Sequence, residues 1–514
     1  MFIHSSLRAL YQAVWLAAMP VLRRHARLRE GFAERTVPPH WPYGEAPLVS
    51  PSGAARSTSS PVDAAERDDA RPTGTTPISA PPTEGFRLWI QAASGGEATL
   101  VRAIAHALQR LAPASSLPIT LLATTCTVQG LSVLRALEQT FLAAGENMAS
   151  AGTAPRPMRI LPRHFPLDAP STMRRALAQA APHLLVLLET ELWPGLLLEA
   201  KRAGIPYLVL NGRMTEKSVR GFSRFSSFFK SHSPLAVTAT TEDNADRFSR
   251  LFGFDRVEIV PNIKFSLALA MLDAFGQPRS ANRAGTLPTA RELAHIGPEL
   301  PLAVFASVRK EEEEALFPAI CALAGMNVNE RPVRCIVAPR HLHRVSAWER
   351  RFARAGIQVC LRSSLNSDSP PPAATSAARV LLWDTFGELR AVYAAADAVT
   401  VGGSFAPLGG QNFLEPLAAG VLPLVGPSWE NFDWVGEDIV AQGLLQIVPE
   451  PQELVGAMLC AMNKRLGPDP HHWAADRNRA ALDIQARFRA FLLPSANGAD
   501  QSARLILRSL EELY

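Results

Sequence analysis

Short apolar runs alternate with amphipathic helical patterns in both halves of this chain, and no other feature of the sequence limits the fold as strongly. Residues 86–93 have the composition of a strand, and residues 97–110 then place apolar side chains at helical spacing. The alternation returns in the second half after the runs LAVFAS, VRCIVAP, VLLWD and AVTVGGS. Strands that alternate with helices form parallel sheets covered by helices. The pattern therefore predicts an α/β protein of two doubly wound domains that face each other across a cleft, with ligands at the carboxyl ends of the strands.

The net charge indicates the class of binding partner, and the cysteine content indicates the cellular compartment. The net charge of +5 and the pI near 9.1 favour anionic partners such as phosphates or a phospholipid surface. No stripe of Lys and Arg with interleaved aromatic residues is present, which argues against nucleic acid as a partner. The five cysteines are far apart and contain no CxxC pair, so we expect neither a disulfide scaffold nor a zinc site, and a reducing cytosolic environment fits best.

The N-terminal stretch 7–22 is almost entirely apolar, and Arg23 and Arg24 follow it directly. As a helix it would be roughly 24 Å long, which is short of the roughly 30 Å hydrocarbon core of a bilayer. It could span imperfectly, or lie in the interface with its basic end on anionic headgroups. The alternative is an ordinary helix docked on the protein. We expect a membrane-associated helix.

The chain of 514 residues is too long for a single hydrophobic core. Segments rich in Ser, Pro and Ala interrupt the alternation, and such sequences bury too little apolar surface to offset the entropy of ordering. We therefore expect the N-terminal helix with its basic flank at 1–44 and a disordered insert at 45–84. A first Rossmann-like domain at 85–275 and a linker at 276–300 would follow. The second Rossmann-like domain, at 301–514, would contain a loop insertion at 363–377, and its last helix could pack back on the first domain.

The segment Ser94-Gly95-Gly96-Glu97 joins a predicted strand to a predicted helix. Two glycines allow a tight turn and a close approach by a ligand. A carboxylate in the first helical turn at a cleft edge can act as a general base on a hydroxyl. The alternative is that Glu97 only complements the helix dipole.

Further polar residues follow later strands of the first half. Glu189 and Glu191 come directly after the apolar run HLLVLL, in the segment ETELWP, and Pro194 would begin the next helix. A solvated strand end is the alternative interpretation. Arg213 follows the next strand at the same edge and could meet a phosphate or carboxylate. If Lys264 faces the cleft, it offers a positive charge to an anionic sugar or a leaving phosphate.

In the second half, Pro339 and Arg340 follow the strand VRCIVA, and an Arg at the carboxyl end of a strand is typical of a phosphate site. The spacing of His341 and His343 could suggest a metal, but no nearby set of carboxylates or cysteines completes a site, so we expect none. The segments TFGE and NFLE have the form of capping boxes, with Thr385 or Asn412 as the cap. Two such helix starts around a glycine-rich stretch favour nucleotide binding. The absence of GxxxxGK[ST] and GxGxxG disfavours ordinary ATP or dinucleotide sites.

Taken together and in this order, these motifs resemble the Kdo transferase family, which are glycosyltransferases of the GT-B type with two facing Rossmann-like domains. The resemblance runs in blocks over most of the chain, to about Phe432. The blocks are SGGE, ETELWP with the following NGR, NIKF, APRH, TFGEL and GGSFAPLGGQNFLEPLAAG. Such enzymes transfer Kdo, an eight-carbon acidic sugar, from CMP-Kdo to a lipid A precursor of the lipid IVA type on the cytoplasmic face of the bacterial inner membrane.

The resemblance implies roles for individual residues, inversion at the anomeric carbon and no metal or other cofactor. Glu97 matches the catalytic base, and Glu189 and Lys264 match positions that stabilise the transition state; Lys264 or Arg213 could pair with the Kdo carboxylate. The first domain would take the acceptor and the second the nucleotide. The residues that match the CMP-binding segments are Pro339, Arg340, Phe386, Gly387, Glu388, Asn412, Phe413, Leu414 and Glu415.

Departures from the family pattern keep alternatives open. The family usually has SVGE for SGGE here, and STHEGEE for SVRKEEEE at 307–314, which affects the donor contacts expected there. Gln411 and Phe413 replace a His and a Pro, and Phe386 stands where a Met is common. A GT-B transferase for another nucleotide sugar, or a non-catalytic membrane-bound protein that binds nucleotide sugars, are the alternative functions.

Overall fold

The protein is described here by a computed structural model that covers residues 2–24, 31–36, 85–112, 117–150, 158–276, 291, 294, 296–365 and 378–514. The predicted insert at 45–84 lies outside these residues, as do most of the predicted linker and most of the loop insertion at 363–377. The chain divides into two compact units, one formed by Met1–Ile263 with Gly498–Tyr514 and the other by Lys264–Asn497.

The first unit alternates strands and helices from its first strand onward. Its strands are β1 Phe86–Ala92, β2 Ile119–Thr125, β3 Met158–His164, β4 Leu184–Leu188, β5 Tyr207–Gly212, β6 Ala236–Ala239 and β7 Val257–Ile259. Its helices are α1 Phe2–Leu22, α2 Phe32–Thr36, α3 Gly95–Leu111, α4 Val128–Ser150, α5 Pro170–Ala180, α6 Pro194–Arg202, α7 Glu216–Ser223, α8 Ser226–Ser231 and α9 Glu242–Phe252, and α10 Ile263–Gly276 begins at its boundary.

The strands of the first unit form one parallel sheet in the order β3-β2-β1-β4-β5-β6-β7. All five residues of β4 are buried, as the run LLVLL requires of a strand with helices on both faces. The chain moves outward from β1 in one direction and then from β4 in the other. The carboxyl ends of β1 and β4 therefore flank the point where the strand order reverses, which is where ligands bind in sheets of this kind.

The second unit repeats this architecture. Its strands are β8 Leu302–Val308, β9 Asn327–Val328, β10 Arg331–Pro332, β11 Arg334–Pro339, β12 Val359–Leu361, β13 Val380–Leu382, β14 Ala398–Val401, β15 Pro423–Val425 and β16 Gln446–Ile447. Its helices are α11 Glu313–Gly325, α12 Val345–Arg354, α13 Leu389–Ala395, α14 Leu414–Ala418, α15 Asp438–Ala441, α16 Leu454–Arg465 and α17 Trp473–Leu492, and short 3-10 turns lie at Lys310–Glu312, Leu342–Arg344, Arg362–Ser364, Glu430–Val435, Pro451–Glu453, Pro470–His472 and Leu493–Ser495.

The main sheet of the second unit is also parallel, in the order β12-β13-β11-β8-β14-β15-β16. Alternate residues of β8 enter two different cores: Val304 packs in one cluster of apolar side chains and Phe305 in the other. Side chains that alternate between two buried faces are what a central strand with helices on both sides needs. The prediction of two α/β domains built on parallel sheets is confirmed.

The last helix, α18 Gly498–Leu513, belongs to the first unit and packs on α3. Its inner face is apolar, with Leu505 and Ile506 buried, and an ion pair joins Arg110 to Asp500. The first unit is therefore completed by the end of the chain.

The N-terminal helix α1 docks on α5 and α6 of the first unit. Its contacts are polar: the Tyr11 hydroxyl donates to Asp168 at 2.9 Å, and Arg8 pairs with the buried Glu199 at 2.6 Å. In the described part of the chain, no helix is both long enough and apolar enough to cross a membrane.

Candidate functional site

Glu97 lies in the first turn of α3, as predicted, directly after β1. Ser94 caps the helix, because its Oγ accepts the Glu97 N–H at 3.3 Å. The Glu97 carboxylate turns back toward the strand, and its Oε2 accepts the Ala93 N–H. The backbone of the strand end thus fixes the carboxylate at the carboxyl edge of the first sheet.

The Glu97 carboxyl group is held in an environment that disfavours its charge. Burial is the main reason that its pKa is raised to about 7, and the negative charge of Glu191 adds to the effect, with Glu189 contributing less. The hydrogen bond from Ala93 acts in the opposite direction. A carboxyl group with a pKa near neutral pH is suited to general acid–base chemistry.

Glu191 is a site residue to which the sequence interpretation gave no role. Its Oε2 accepts hydrogen bonds from Trp193 Nε1 at 2.7 Å and Gln91 Nε2 at 3.1 Å. Burial raises the pKa of Glu191 as well. The motif ETELWP contains two acids, Glu189 and Glu191. The sequence signal that could have indicated Glu191 is Trp193, two residues later, which is its hydrogen-bond donor.

Glu189 and Arg213 lie together at the ends of β4 and β5. Glu189 Oε1 is 3.9 Å from Arg213 Nη1, and Thr190 Oγ1 donates to the Arg213 carbonyl at 2.6 Å. Glu189 has a left-handed backbone with φ of +53°, and so does Asn211 with φ of +55°. Non-glycine residues seldom adopt this conformation, which costs about 1–3 kcal/mol and is found most often at functional sites. Both outliers lie at the carboxyl edge of the first sheet.

Lys264 belongs to the second unit, whereas Glu97, Glu189, Glu191 and Arg213 belong to the first. The Lys264 ammonium lies 5.9 Å from the centre of the Trp434 ring, within the range of a cation–π contact. The structure thus brings together four polar side chains at the carboxyl edge of the first sheet and places Lys264 beside Trp434 in the other unit.

A cavity of about 350 Å³ opens at the carboxyl ends of the strands in the second unit. Five of the residues matched to nucleotide binding line it: Pro339, Arg340, Phe386, Gly387 and Glu415. A cavity of this size falls at the lower end of the range for small-molecule sites.

Two polar pairs surround this cavity. Arg340 Nε donates to Gln411 Oε1 at 3.1 Å, and Asn412 Nδ2 donates to Glu415 Oε1 at 2.9 Å. Burial raises the pKa of Glu415, while Asn412 and Arg340 act to lower it. The residue that replaces the usual His, Gln411, thus contacts the guanidinium of Arg340.

The other four matched residues do not line the cavity. Glu388 pairs with Arg362 at 3.3 Å, and Asn412 lies behind Glu415 as its hydrogen-bond donor. Phe413 and Leu414 are buried in the apolar core, where the Phe413 ring packs on Phe432 at 4.8 Å between centroids.

The predicted capping boxes are wrong in detail. The helices begin later than expected, at Leu389 and Leu414, so the cap positions are Glu388 and Phe413. Thr385 Oγ1 instead donates to the Glu388 side chain, and the Asn412 amide donates to Glu415. In both segments the predicted cap and acid side chains bond to each other. The Asn412 Oδ1 also accepts the Leu414 N–H at 3.2 Å, so the Asn412 side chain does cap the start of α14, whereas α13 has no side-chain cap hydrogen bond.

Two further residues of this region were not found from the sequence. Trp383 lines the cavity, and its Nε1 is buried with no hydrogen-bond partner among the residues described. Glu312 is 1% exposed and accepts the Gly403 N–H at 2.6 Å, which joins the loop after β8 to the loop after β14. Burial raises its pKa to about 7. Because Glu312 stands in a run of four glutamates, composition could not distinguish the buried Glu312 and Glu313 from the exposed Glu311 and Glu314.

The rings of His341 and His343 stack at 5.5 Å between centroids. No group of three or more His, Cys, Asp or Glu side chains in the described ranges could hold a metal ion.

The model of the 3-deoxy-D-manno-octulosonic-acid transferase family matches residues 63–267. A 3-deoxy-D-manno-octulosonic acid transferase of Bordetella pertussis is 31% identical over 73% of this chain and 77% of its own length, and one of Haemophilus influenzae is 24% identical over 75% and 81%. Among solved structures, the C-terminal CMP-Kdo binding domain of WaaA from Acinetobacter baumannii is 22% identical, with a TM-score of 0.32 over 44% of this chain and 98% of that one. The family assignment rests on the sequence comparisons.

A substitution at Gly402 tests whether the contact between Glu312 and Gly403, which joins the loops after β8 and β14, stabilises the second unit. A Cβ at this position would lie 2.5 Å from Glu312 Oε1 and 2.6 Å from the Ser307 carbonyl, and the backbone cannot yield without moving β8. We expect Gly402→Ala to lower the free energy of unfolding by about 1–3 kcal/mol, measured by urea denaturation. Gly456→Ala is the matched control, since a Cβ there meets nothing within 4 Å. It should be neutral or slightly stabilising. Equal free energies of unfolding for the two variants would show that the contact between the two loops does not contribute to stability.

Proposed function

The chain belongs to the Kdo transferase family and is a glycosyltransferase, and on this basis we propose that it moves Kdo from CMP-Kdo to a lipid A precursor of the lipid IVA type, with Glu97 as the general base. The observation that carries the proposal is the Glu97 carboxyl group, held by the Ala93 N–H at the carboxyl edge of the first sheet with a pKa of about 7.

In the proposed reaction, Glu97 takes the proton of an acceptor sugar hydroxyl as that oxygen attacks the anomeric carbon of Kdo. The bond from this carbon to the phosphate oxygen breaks, and CMP leaves with the bonding electrons. Direct attack from the face opposite the leaving group inverts the anomeric configuration. A base with a pKa near the working pH is charged often enough to act and basic enough to take the proton.

The cavity of the second unit is the proposed donor site. The exposed Arg340 guanidinium would bind the phosphate of CMP and stabilise the charge that develops on it as the sugar departs. Glu415 can accept hydrogen bonds from the ribose hydroxyls. The unpaired Trp383 Nε1 supplies a buried donor beside them.

Three further side chains are proposed to act on the sugar. Lys264 or Arg213 would pair with the Kdo carboxylate, and the family resemblance gives Glu189 and Lys264 a role in stabilising the transition state. Arg213 supports this assignment because it carries a positive charge at the carboxyl edge of the first sheet, where its Nη1 lies 3.9 Å from Glu189.

Replacing Glu97 tests the base directly. We expect Glu97→Gln to lower the rate of Kdo transfer by roughly 10²–10⁴, because the amide cannot take a proton, while CMP binding stays within about twofold. Transfer is measured by mass spectrometry of the lipid A precursor after incubation with fresh CMP-Kdo, and CMP binding by calorimetry.

Glu242→Gln is the matched control for this experiment, because Glu242 is also an acid in a first helical turn but is exposed. It should transfer Kdo like the wild type. Transfer at the wild-type rate by Glu97→Gln would show that Glu97 is not the general base. Binding of UDP or GDP by the wild type in preference to CMP would show that CMP-Kdo is not the donor.

The pH dependence of transfer follows from the raised pKa of Glu97. The active form is the carboxylate, so kcat/KM should fall about tenfold per pH unit below roughly pH 7 and level off above it. Glu191→Gln removes a neighbouring negative charge that raises the pKa of Glu97. The acidic limb of the profile should therefore move to lower pH in this variant.

The glutamine at 191 can still accept the Trp193 and Gln91 hydrogen bonds, so the local structure is kept. Glu242→Gln again serves as the control and should leave the limb in place. A limb that stays fixed, or moves to higher pH, in Glu191→Gln would show that another group controls the profile.

We further propose that α1 lies on the anionic cytoplasmic surface of the inner membrane. Its polar side chains bind the first unit through Tyr11 and Arg8, and its opposite face exposes Leu10, Val14 and Val21, which share one helix face. Exposed Arg23 and Arg24 follow the helix. An apolar face with a basic end is the pattern of a helix that lies in the bilayer interface.

Flotation with vesicles that contain anionic lipid tests this placement. We expect the double substitution Val14→Gln and Val21→Gln to reduce the bound fraction, with a loss of partitioning of tenfold or more, since burying each valine contributes about 1.5 kcal/mol. Leu482→Gln, which changes a leucine that is 58% exposed on α17, should bind like the wild type. Equal binding by all three proteins would contradict the placement.

A further inference from the structure

Asp397 lies immediately before β14, at the amino-terminal edge of the second sheet, and is 1% exposed. Its carboxylate is saturated by close donors. Oδ2 accepts the Leu302 N–H at 2.8 Å and Arg291 Nη2 at 2.9 Å, and Oδ1 accepts Arg477 Nε at 2.6 Å. Arg477 also donates its Nη2 to Oδ2 at 3.0 Å. Two guanidinium groups therefore occupy the carboxylate fully.

A third guanidinium, that of Arg465, lies beside this cluster and is left over. Arg465 is 7% exposed, and its Nε is 4.0 Å from Asp397 Oδ1, which is too far for a hydrogen bond. Its Nη1 donates to the Gly420 carbonyl, but its Nε has no hydrogen-bond partner among the described residues. A buried charge without a bonded counter-ion is strongly unfavourable unless something binds to it.

The electrostatics of Arg465 agree with this. The pKa of Arg465 is lowered to about 10, mainly by burial; Asp397 acts in the opposite direction, and the positive charges of Arg477 and Arg291 add to the lowering. Three guanidinium groups surround the carboxylate of Asp397, and Glu299 acts on Arg291 as well, so positive charge is in excess in the cluster.

Arg465 also lines a cavity of about 870 Å³, which is within the range of small-molecule sites. Lys464, Arg479 and Arg487 add positive charge to its wall, and Asp476 and Asp483 add negative charge. Both acids are already engaged.

Asp476 accepts Arg479 Nη2 at 2.7 Å and the Gly467 N–H at 3.1 Å, and Asp483 pairs with Arg487 at 3.6 Å. Lys464 is exposed and forms no ion pair with any residue in the part of the chain that the structure describes. The unneutralised charge in the cavity is thus that of Arg465 and Lys464, next to the cluster at Asp397.

We propose that this cavity binds a small phosphorylated molecule through Arg465 and Lys464. A phosphate monoester carries close to two negative charges at neutral pH, which would offset the excess positive charge of the cluster, and its oxygens accept several guanidinium N–H groups at once. The site lies at the amino-terminal edge of the second sheet, whereas the proposed donor cavity lies at the carboxyl edge. It is therefore a separate site, and it does not depend on the proposed donor or acceptor.

Calorimetric titration of the full chain with inorganic pyrophosphate tests the site. We expect Arg465→Gln to weaken binding by about tenfold or more, because hydrogen bonds to a charged group contribute about 1.5–3 kcal/mol. Lys464→Gln should weaken it by about threefold, as for an exposed charge. Since Lys464 is exposed, this variant keeps the test decisive if Arg465→Gln fails to fold.

Two controls separate this site from other anion sites. Arg354→Gln changes an exposed arginine on α12, and Arg340→Gln changes the donor cavity; both should leave a binding event that is sensitive to Arg465 and Lys464. The proposal is overturned if the full chain binds no pyrophosphate. It is also overturned if Arg340→Gln abolishes all binding while Lys464→Gln binds like the wild type.

Discussion

Buried carboxylates that accept backbone N–H groups hold the loops of this protein in place. Glu97 accepts from Ala93, Glu312 from Gly403, Asp397 from Leu302, and Asp168 from Gly195 and Leu196. Taking a carboxylate out of water is costly unless several donors surround it. Part of the cost of burial remains as a raised pKa, which is about 7 at Glu97, Glu312 and Asp168, and at Glu97 this is the property that a general base needs. The Glu97 carboxyl group thus both accepts the Ala93 N–H and has the pKa that the proposed reaction needs.

The regular parts of the fold were predictable because burial imposes a period on the sequence. The strand at Phe86–Ala92 and the helix that carries Glu97 follow from apolar spacing, and Pro194 begins α6 as expected. Side-chain partners in loops were not predictable. Nothing in the run of glutamates at 311–314 shows that Glu312 turns inward. Thr385 had the right spacing for a cap but bonds to the Glu388 side chain instead. Spacing reports periodic packing, whereas a loop contact depends on a distant strand.

Three non-glycine residues with a left-handed backbone conformation lie at the carboxyl edges of the two main sheets, where the sequence motifs also lie. Glu189 follows β4, Asn211 lies at the end of β5, and Ser307 lies near the end of β8 with φ of +58°. Each is a non-glycine residue at the carboxyl edge of a parallel sheet. The Asn211 side chain accepts the Ile263 N–H at 2.9 Å, so the surrounding hydrogen bonds hold the conformation there. Strain of this kind persists only where neighbouring contacts determine the backbone.

The return of α18 to the first unit has a consequence for biosynthesis. On the ribosome, β1 and α3 emerge before the second unit, but α18, which packs on α3, is made after the entire second unit. Until then the face of α3 that packs on α18 is uncovered, and the first unit cannot reach its final stability. Synthesis of the second unit must therefore be complete before the first unit can bury this face of α3.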